Sequence, residues 1–288
     1  MTIAVETRPP AQHAMAILSF FAAAAFTAAW LGLNFIFPGL QPTGIPVVIV
    51  RLVIHGTILA GLWLALARTE FGPSQRAAIW LALAAPFTLW LALVWMLAVD
   101  GAFVPRPGGI PRLPLAIFVP VIIGLALLPR SRRVASVLDA APAFWLVGVQ
   151  VYRVFGGIFL VGWARGELSS TFALPAGIGD VAIGLLALPV AYYLRAGTRA
   201  GRMLGYAWNV LGLIDFAIAI GIGILSAPGP LQLIVPDRPN LQLGTFPTVM
   251  IPAFAVPSSI LFHILSIWQL RRAGRAAAVA PARITQAE

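Results

Sequence analysis

Eight long apolar stretches divide the chain, and they constrain its fold more than any other feature. About 20 apolar residues in an α-helix are enough to cross the hydrocarbon core of a bilayer. The sequence therefore predicts an all-α, polytopic membrane helix bundle of about eight transmembrane helices. The stretches cover residues 14–37, 45–67, 77–99, 113–129, 142–165, 176–196, 201–225 and 248–270.

Composition excludes the other broad classes of protein. Apolar residues make up 60% of the 288 residues and charged residues only 10%, whereas soluble domains average about 45–50% and about 25%. The mean hydropathy of +0.94 excludes a water-soluble globule and a disordered chain. We expect residues 1–288 to form a single transmembrane domain, with residues 273–288 as a cytoplasmic tail.

The distribution of arginine predicts the orientation. All 19 basic residues are arginine and the net charge is +10, which is typical of a GC-rich bacterial genome. Cytoplasmic loops carry an excess of basic residues, so we expect both termini in the cytoplasm. We expect the basic residues to interact with the lipid bilayer and not with nucleic acid. One set of helix ends carries Arg8, Arg68, Arg76, Arg130, Arg132, Arg133, Arg195, Arg199, Arg202, Arg271, Arg272, Arg275 and Arg283. The other set carries Arg106, Arg112, Arg165 and Arg238.

Three segments outside the spans are long enough to have structure of their own. Residues 100–112 and 226–247 lie on the outer side and are rich in proline. The second is compatible with an interfacial segment, a lid or an ordinary surface loop. On the cytoplasmic side, Val134, Val137 and Leu138 share one helical face of residues 131–141, which predicts a short surface helix.

The two halves of the chain share faint landmarks. Residues 42–45 (Pro-Thr-Gly-Ile) resemble residues 175–178 (Pro-Ala-Gly-Ile). Pro114 and Pro120 in span four also resemble Pro252 and Pro257 in span eight. A parallel 4+4 repeat, with halves 14–133 and 142–272, is one interpretation, because four spans return the chain to its starting side. Chance similarity between apolar segments is the other.

Ionisable residues inside the spans predict the candidate site, because such groups are costly in a bilayer and normally face the bundle interior. At 1.5 Å per residue, Asp180 lies about 6 Å and Arg51 about 9 Å below the outer boundary. His55 and Asp215 lie at about 15 Å and Arg153 at about 18 Å. We expect a polar cavity in the outer half, lined by these five residues. Two arginines and two aspartates sum to zero charge, so Arg153 is predicted to pair with Asp215 or Asp180.

A purely structural role for these charges is the main alternative. In this alternative, Arg51 extends its guanidinium to the outer headgroups and Asp180 caps the start of a helix. Arg153 and Asp215 form a buried pair that fixes the register of their helices. A haem b ligated by His55 and His263 is a further alternative, although their depths differ by about 7 Å. We otherwise expect no cofactor and no metal site, and the chain has no cysteine.

The carboxy-terminal half resembles a family of uncharacterised bacterial integral membrane proteins. The resemblance covers about residues 142–270 and rests on residues 174–180 (LPAGIGD), residues 208–216 (WNVLGLIDF), the Phe-Pro pair at 246–247, the Val-Pro pair at 256–257 and His263. It implies the membrane class and no activity.

Three functions are compatible with these features. The leading hypothesis is a permease-like protein of the bacterial inner membrane whose cavity opens to the periplasm. Its arginines would attract an anionic group of a small solute, and an aspartate or His55 would couple a proton. The second is a membrane enzyme or redox subunit acting on a lipid or quinone. The third is a non-catalytic sensor or assembly protein.

Overall fold

Eight helical stretches of the described chain are long and apolar enough to cross a membrane, as the sequence predicts. The computed structural model describes the backbone of residues 10–40, 45–105 and 111–284, and the side chains of residues 13–39, 48–105 and 111–275. Within these ranges the chain is helical and contains no β-strand. The all-α bundle is therefore confirmed.

The elements follow the predicted spans closely. The short helix α5 lies between spans four and five, and span five is divided between two helices, α6 and α7. The first five helices are α1 (Pro10–Ile36), α2 (Ile45–Leu66), α3 (Pro73–Val99), α4 (Leu113–Leu127) and α5 (Arg132–Ala140). The others are α6 (Ala143–Gly148), α7 (Ile158–Ala164), α8 (Ser170–Arg195), α9 (Arg199–Leu225) and α10 (Val256–Ile284).

Spans five and eight are not regular α-helices. Residues Val149–Gly157, between α6 and α7, form a 3₁₀-helix of nine residues, although such runs rarely exceed four residues. Residues Ile251–Ala255 form a π-helical turn immediately before α10. Both irregular segments lie against the candidate site, and π-helical turns are frequent at functional sites.

Helix α8 begins earlier than the sequence predicts. The sixth apolar stretch begins at residue 176 in the sequence. Instead, the Ser169 side chain accepts a hydrogen bond from the Thr171 amide and caps a helix that starts at Ser170, with Pro175 inside it. Asp180 consequently lies about 15 Å from the start of the helix rather than about 6 Å, close to the expected depth of Arg153.

The most buried spans are the three formed by α6–α7, α8 and α10. Helix α8 packs against α9, the 3₁₀-helix and α1, and α10 packs against α9, α4 and α6. Helices α2 and α3 pack mainly against each other, and α2 also contacts α5. The charged side chains of spans five to seven are thus in the centre of the bundle.

The short helix predicted over residues 131–141 is confirmed as α5 (Arg132–Ala140). Ser131 caps it by accepting from the Val134 amide at 3.3 Å, and Val134, Val137 and Leu138 are buried as expected. Gln269 of α10 donates to the carbonyl oxygens of Leu138 and Ala141 at 2.5 and 2.7 Å. These bonds fix α5 against the inner end of α10.

The outer segment 226–247 is held against the bundle by polar contacts. The Asn240 side chain accepts from the Ser169 amide at 2.9 Å, and the Ser169 hydroxyl donates to the Asp237 carboxylate. This hydrogen bond holds the pKa of Asp237 below its usual range. Arg238 donates to the carbonyl oxygen of Gly166. The segment therefore covers the outer ends of α7 and α8 rather than extending freely.

Some expectations are not decided by the fold. Arg8, Arg106 and residues 42–44 lie outside the described residues, so the first landmark of the repeat cannot be compared. The second landmark is uneven, because α10 follows a π-helical turn and α4 does not. The 4+4 repeat stays a prediction. The last helix continues to Ile284, past the expected end of the span at residue 270.

The orientation is testable by cysteine labelling, because the chain has no native cysteine. In right-side-out membrane vesicles, an impermeant maleimide should label Gln232→Cys on the outer segment and leave Arg133→Cys on α5 unlabelled until the vesicles are opened. Both positions are exposed, so accessibility within the protein is matched. Labelling of Arg133→Cys in sealed vesicles would contradict the orientation derived from the arginine bias.

Candidate functional site

Arg153, in the 3₁₀-helix, is the centre of a buried ion cluster. Its side chain is 1% exposed. Nε donates to Oδ1 of Asp180 at 2.9 Å, and Nη2 forms an ion pair with the same oxygen at 2.8 Å. Nη2 donates its hydrogen bond to Oδ2 of Asp215. The guanidinium carbon lies 3.9 Å from the ring centroid of Phe216. The prediction that Arg153 pairs with Asp215 or Asp180 is confirmed, and it pairs with both.

The cluster continues into α10. Nη1 of Arg153 lies 3.1 Å from Nε2 of His263, and Nδ1 of His263 lies 2.9 Å from Oδ1 of Asn209. Since arginine only donates hydrogen bonds, Nε2 must accept, and the proton of the neutral imidazole is on Nδ1, from which it donates to Asn209. The Asn209 amide then donates to the Ser266 hydroxyl at 3.0 Å. One continuous polar chain thus joins α8 and α9 to α10.

Glycines make room for the charged side chains. A Cβ atom at Gly156 would collide with Asp180, one at Gly179 with Asp215, and one at Gly212 with His263. These are positions where helices approach closely, which is the usual role of small residues in membrane helices. The missing side chains allow the carboxylates and the imidazole to reach Arg153.

Arg51 of α2 lies next to this cluster but outside its ion pairs. The residue is 5% exposed, and its Nε atom has no hydrogen-bond partner among the described residues. It lines a small cavity of about 20 Å³ together with Tyr152, Arg153, Asp180 and Ser259. The hydroxyls of Tyr152 and Ser259 lie 2.6 Å apart in the wall of this cavity.

His55 does not join the other four predicted residues. Its Nε2 lies 3.0 Å from the Thr88 hydroxyl of α3, and its ring stacks on Phe87 with centroids 4.9 Å apart. Although Arg51 and His55 are four residues apart on α2, His55 faces α3 and lines neither of the two cavities. Asp215 is likewise absent from both cavity walls, because it is turned toward Arg153 and Gly179.

A larger cavity of about 580 Å³ opens in the outer half of the bundle. It lies between α4 on one side and α8 and α9 on the other, under residues of the two outer segments. Asp180 and Phe216 line both this cavity and the small one, so the two are adjacent. Most of the wall is apolar, unlike the polar cavity expected from the sequence. The apolar lining includes Phe103, Leu113, Phe159, Phe172, Ala219 and Leu243.

The two histidines do not fit a bis-histidine haem site. Both ring nitrogens of His263 are hydrogen-bonded to protein groups, Arg153 and Asn209, and Nε2 faces a cation. His55 lies in a separate contact with Thr88 and Phe87. Within the described ranges, no group of three or more histidine, aspartate or glutamate side chains is arranged to hold a metal ion.

Fold and site together define a class: a helical bundle with eight helices able to span a membrane and a buried arginine–aspartate cluster under an outer cavity. Residues 110–271 match the model of the family described as Domain of unknown function (DUF8737), and the chain belongs to this family. The resemblance to an uncharacterised family is thereby confirmed. The matched region contains Arg153, Asp180 and Asp215 but not Arg51 or His55. No curated protein and no solved structure matches the chain.

The ion cluster predicts a large difference between two arginines. Arg153→Gln should lower the free energy of unfolding by roughly 3–5 kcal/mol, because two buried carboxylates lose their partner. Replacing Asp180 and Asp215 by asparagine as well should recover much of this loss. The control is Arg272→Gln, whose exposed pair with Asp139 should contribute at most about 1 kcal/mol. Equal losses for the two arginine variants in detergent-solubilised protein would contradict the cluster.

The glycine contacts are testable on a single helix. Gly212→Ala should destabilise the protein by about 1–3 kcal/mol, because its Cβ would push into the His263 ring. Gly221→Ala on the same helix meets nothing within 4 Å and should be neutral or stabilising by about 0.4–1 kcal/mol. Thermal unfolding of both variants in one detergent gives the comparison. An unchanged unfolding temperature for Gly212→Ala would show that the position of His263 does not depend on the close contact with Gly212.

Proposed function

We propose that the chain is a permease-like protein of the bacterial inner membrane that binds a small amphipathic solute in the outer cavity. The observation that carries the proposal is the cavity of about 580 Å³ that ends at Asp180, a member of the buried ion cluster. Its volume is within the range of about 300–1,000 Å³ that is usual for small-molecule sites.

The wall of the cavity favours a solute with an apolar body and one polar end. Small-molecule sites combine an apolar lining with a few polar groups that fix orientation. Here the aromatic and aliphatic residues surround the main volume, and Asp180 is the charged group at its inner end. A purely polar solute would leave most of this wall without favourable contacts.

The surrounding elements favour movement around the site. The two sides of the cavity belong to different packing units: α4 packs against α10 on one side, and α8 packs against α9 on the other. The π-helical turn Ile251–Ala255 joins the outer segment to α10 and contributes Ile251 and Pro252 to the cavity. Prolines and irregular turns are common sites of bending in helices, which a carrier requires when it opens to the two sides of a membrane in turn.

The proposal predicts that filling the cavity abolishes solute binding. Gly223 lines the cavity, and a side chain there would meet Phe172; Gly223→Phe should therefore occupy the binding volume. Gly221→Phe is the matched control, two residues away and facing open space. Compounds that raise the unfolding temperature of the wild type and of Gly221→Phe should have no effect on Gly223→Phe.

The same variants test transport in proteoliposomes. A compound identified by stabilisation should enter vesicles that contain the wild type or Gly221→Phe, and not those that contain Gly223→Phe. Equal stabilisation of all three proteins would show that the compounds bind elsewhere and would contradict the proposal.

A further inference from the structure

The small cavity beside the ion cluster is lined by Arg51, a buried cation that forms no salt bridge with a described residue. Arg51 is 5% exposed and makes no ion pair with any described residue. Its Nε is buried without an acceptor. A guanidinium at membrane depth is costly unless a partner neutralises it, so Arg51 differs from Arg153, which has two carboxylate partners.

We infer that the small cavity is a subsite for a carboxylate, and that the solute of the outer cavity is an apolar molecule ending in that group. This inference rests on the proposed function, because it identifies the polar end of the solute. The carboxylate would accept hydrogen bonds from Arg51 and from a hydroxyl of the Tyr152–Ser259 pair. A carboxylate oxygen that accepts from a guanidinium forms a charge-assisted hydrogen bond, which is roughly twice as strong as a neutral one.

The arrangement of the two cavities defines which end of the ligand lies at Arg51. The two cavities share Asp180, Phe216, Ile251 and Val256, so a molecule in the large cavity ends where the small one begins. A volume of about 20 Å³ is enough for one group the size of a water molecule. The subsite therefore suits one oxygen of an anionic group, with the rest of the molecule in the outer cavity.

Asp180 is the group that would oppose an incoming anion. Its Oδ1 accepts a hydrogen bond from Nε of Arg153 and forms an ion pair with Nη2, which reduces the negative potential that it exerts on the subsite. The four buried charges of Arg51, Arg153, Asp180 and Asp215 sum to zero, but they are unevenly distributed. Both carboxylates contact Arg153 and neither contacts Arg51, which leaves an attractive potential at Arg51.

The test uses three compounds with the same apolar body: 4-phenylbutyrate, 4-phenylbutanol and 4-phenylbutylamine. Binding to the wild type in phosphatidylcholine nanodiscs is measured by the shift of the unfolding temperature. We expect the carboxylate to give the largest shift. Arg51→Gln should weaken carboxylate binding by roughly tenfold or more, as expected for a lost charge-assisted hydrogen bond, and should leave alcohol binding unchanged.

Arg165→Gln is the matched control, because Arg165 is also an outer-side arginine and lines neither cavity. It should keep the full response to the carboxylate. An equal loss in Arg165→Gln, an unchanged response in Arg51→Gln, or stronger binding of the amine would overturn the subsite. If Gly223→Phe still responds to all three compounds, the proposed function itself fails, which separates the two conclusions.

An anionic lipid is the other source of such a group. In nanodiscs containing phosphatidylglycerol, a headgroup bound at Arg51 would raise the unfolding temperature of the wild type but not of Arg51→Gln, and would compete with 4-phenylbutyrate. This result would overturn the assignment to a solute. We expect no such difference, because Arg51 is buried inside the bundle rather than exposed at the level of the headgroups.

Stability without ligand gives an independent measurement. Arg51→Met should unfold at a higher temperature than the wild type, since it removes a buried charge that has no partner. Arg153→Met should unfold at a lower temperature, since it leaves two carboxylates unpaired. A decrease in Arg51→Met as large as that in Arg153→Met would assign Arg51 a structural partner and overturn the inference.

Discussion

The guanidinium of Arg153 organises the centre of the bundle, because a cation there is tolerated only where its donors are satisfied. Its partners come from three helices: Asp180 from α8, Asp215 from α9 and His263 from α10. Meeting all three requires helices that approach closely, and the glycines at the contact points make this approach possible. The ion pairs and the small residues therefore depend on each other. Without the glycines the carboxylates would be too far away, and without the pairs the close approach would bury uncompensated charge.

The pairing of Arg153 was predictable because depth along a helix follows directly from residue number. Charge balance then left few partners for an arginine near the middle of the membrane. The start of α8 was less predictable. Pro175 resembles a helix start, yet the helix begins at Ser170 behind the Ser169 cap, and the depth of Asp180 changes accordingly. Separation by four residues also failed to place Arg51 and His55 together, since one lies beside the cluster and the other contacts α3.

Other features depend on contacts that no local pattern encodes. Tyr152 and Ser259 are 107 residues apart, and neither is distinctive in an apolar sequence. The apolar wall of the outer cavity is formed by residues that sequence analysis assigns to ordinary packing, such as Phe159 and Phe172. These residues differ from ordinary packing residues only because they face the space between α4 and the α8–α9 pair. That space is a result of helix packing and not of residue type. The polar residues marked the location of the site, whereas its volume and its apolar character required the structure.

The 3₁₀-helix in span five explains how one segment satisfies these demands. In an α-helix, residues three apart differ by about 60° in direction, but in a 3₁₀-helix they are eclipsed. Arg153 and Gly156 consequently face α8 along one line, so Asp180 contacts Gly156 and accepts hydrogen bonds from Arg153 at the same time. In an α-helical segment the two positions would be offset by about 60°, so they would meet α8 less directly. The unusual length of the 3₁₀-helix is therefore coupled to the ion cluster, because it aligns Gly156, which leaves room for the Asp180 side chain, with Arg153, which donates to Asp180.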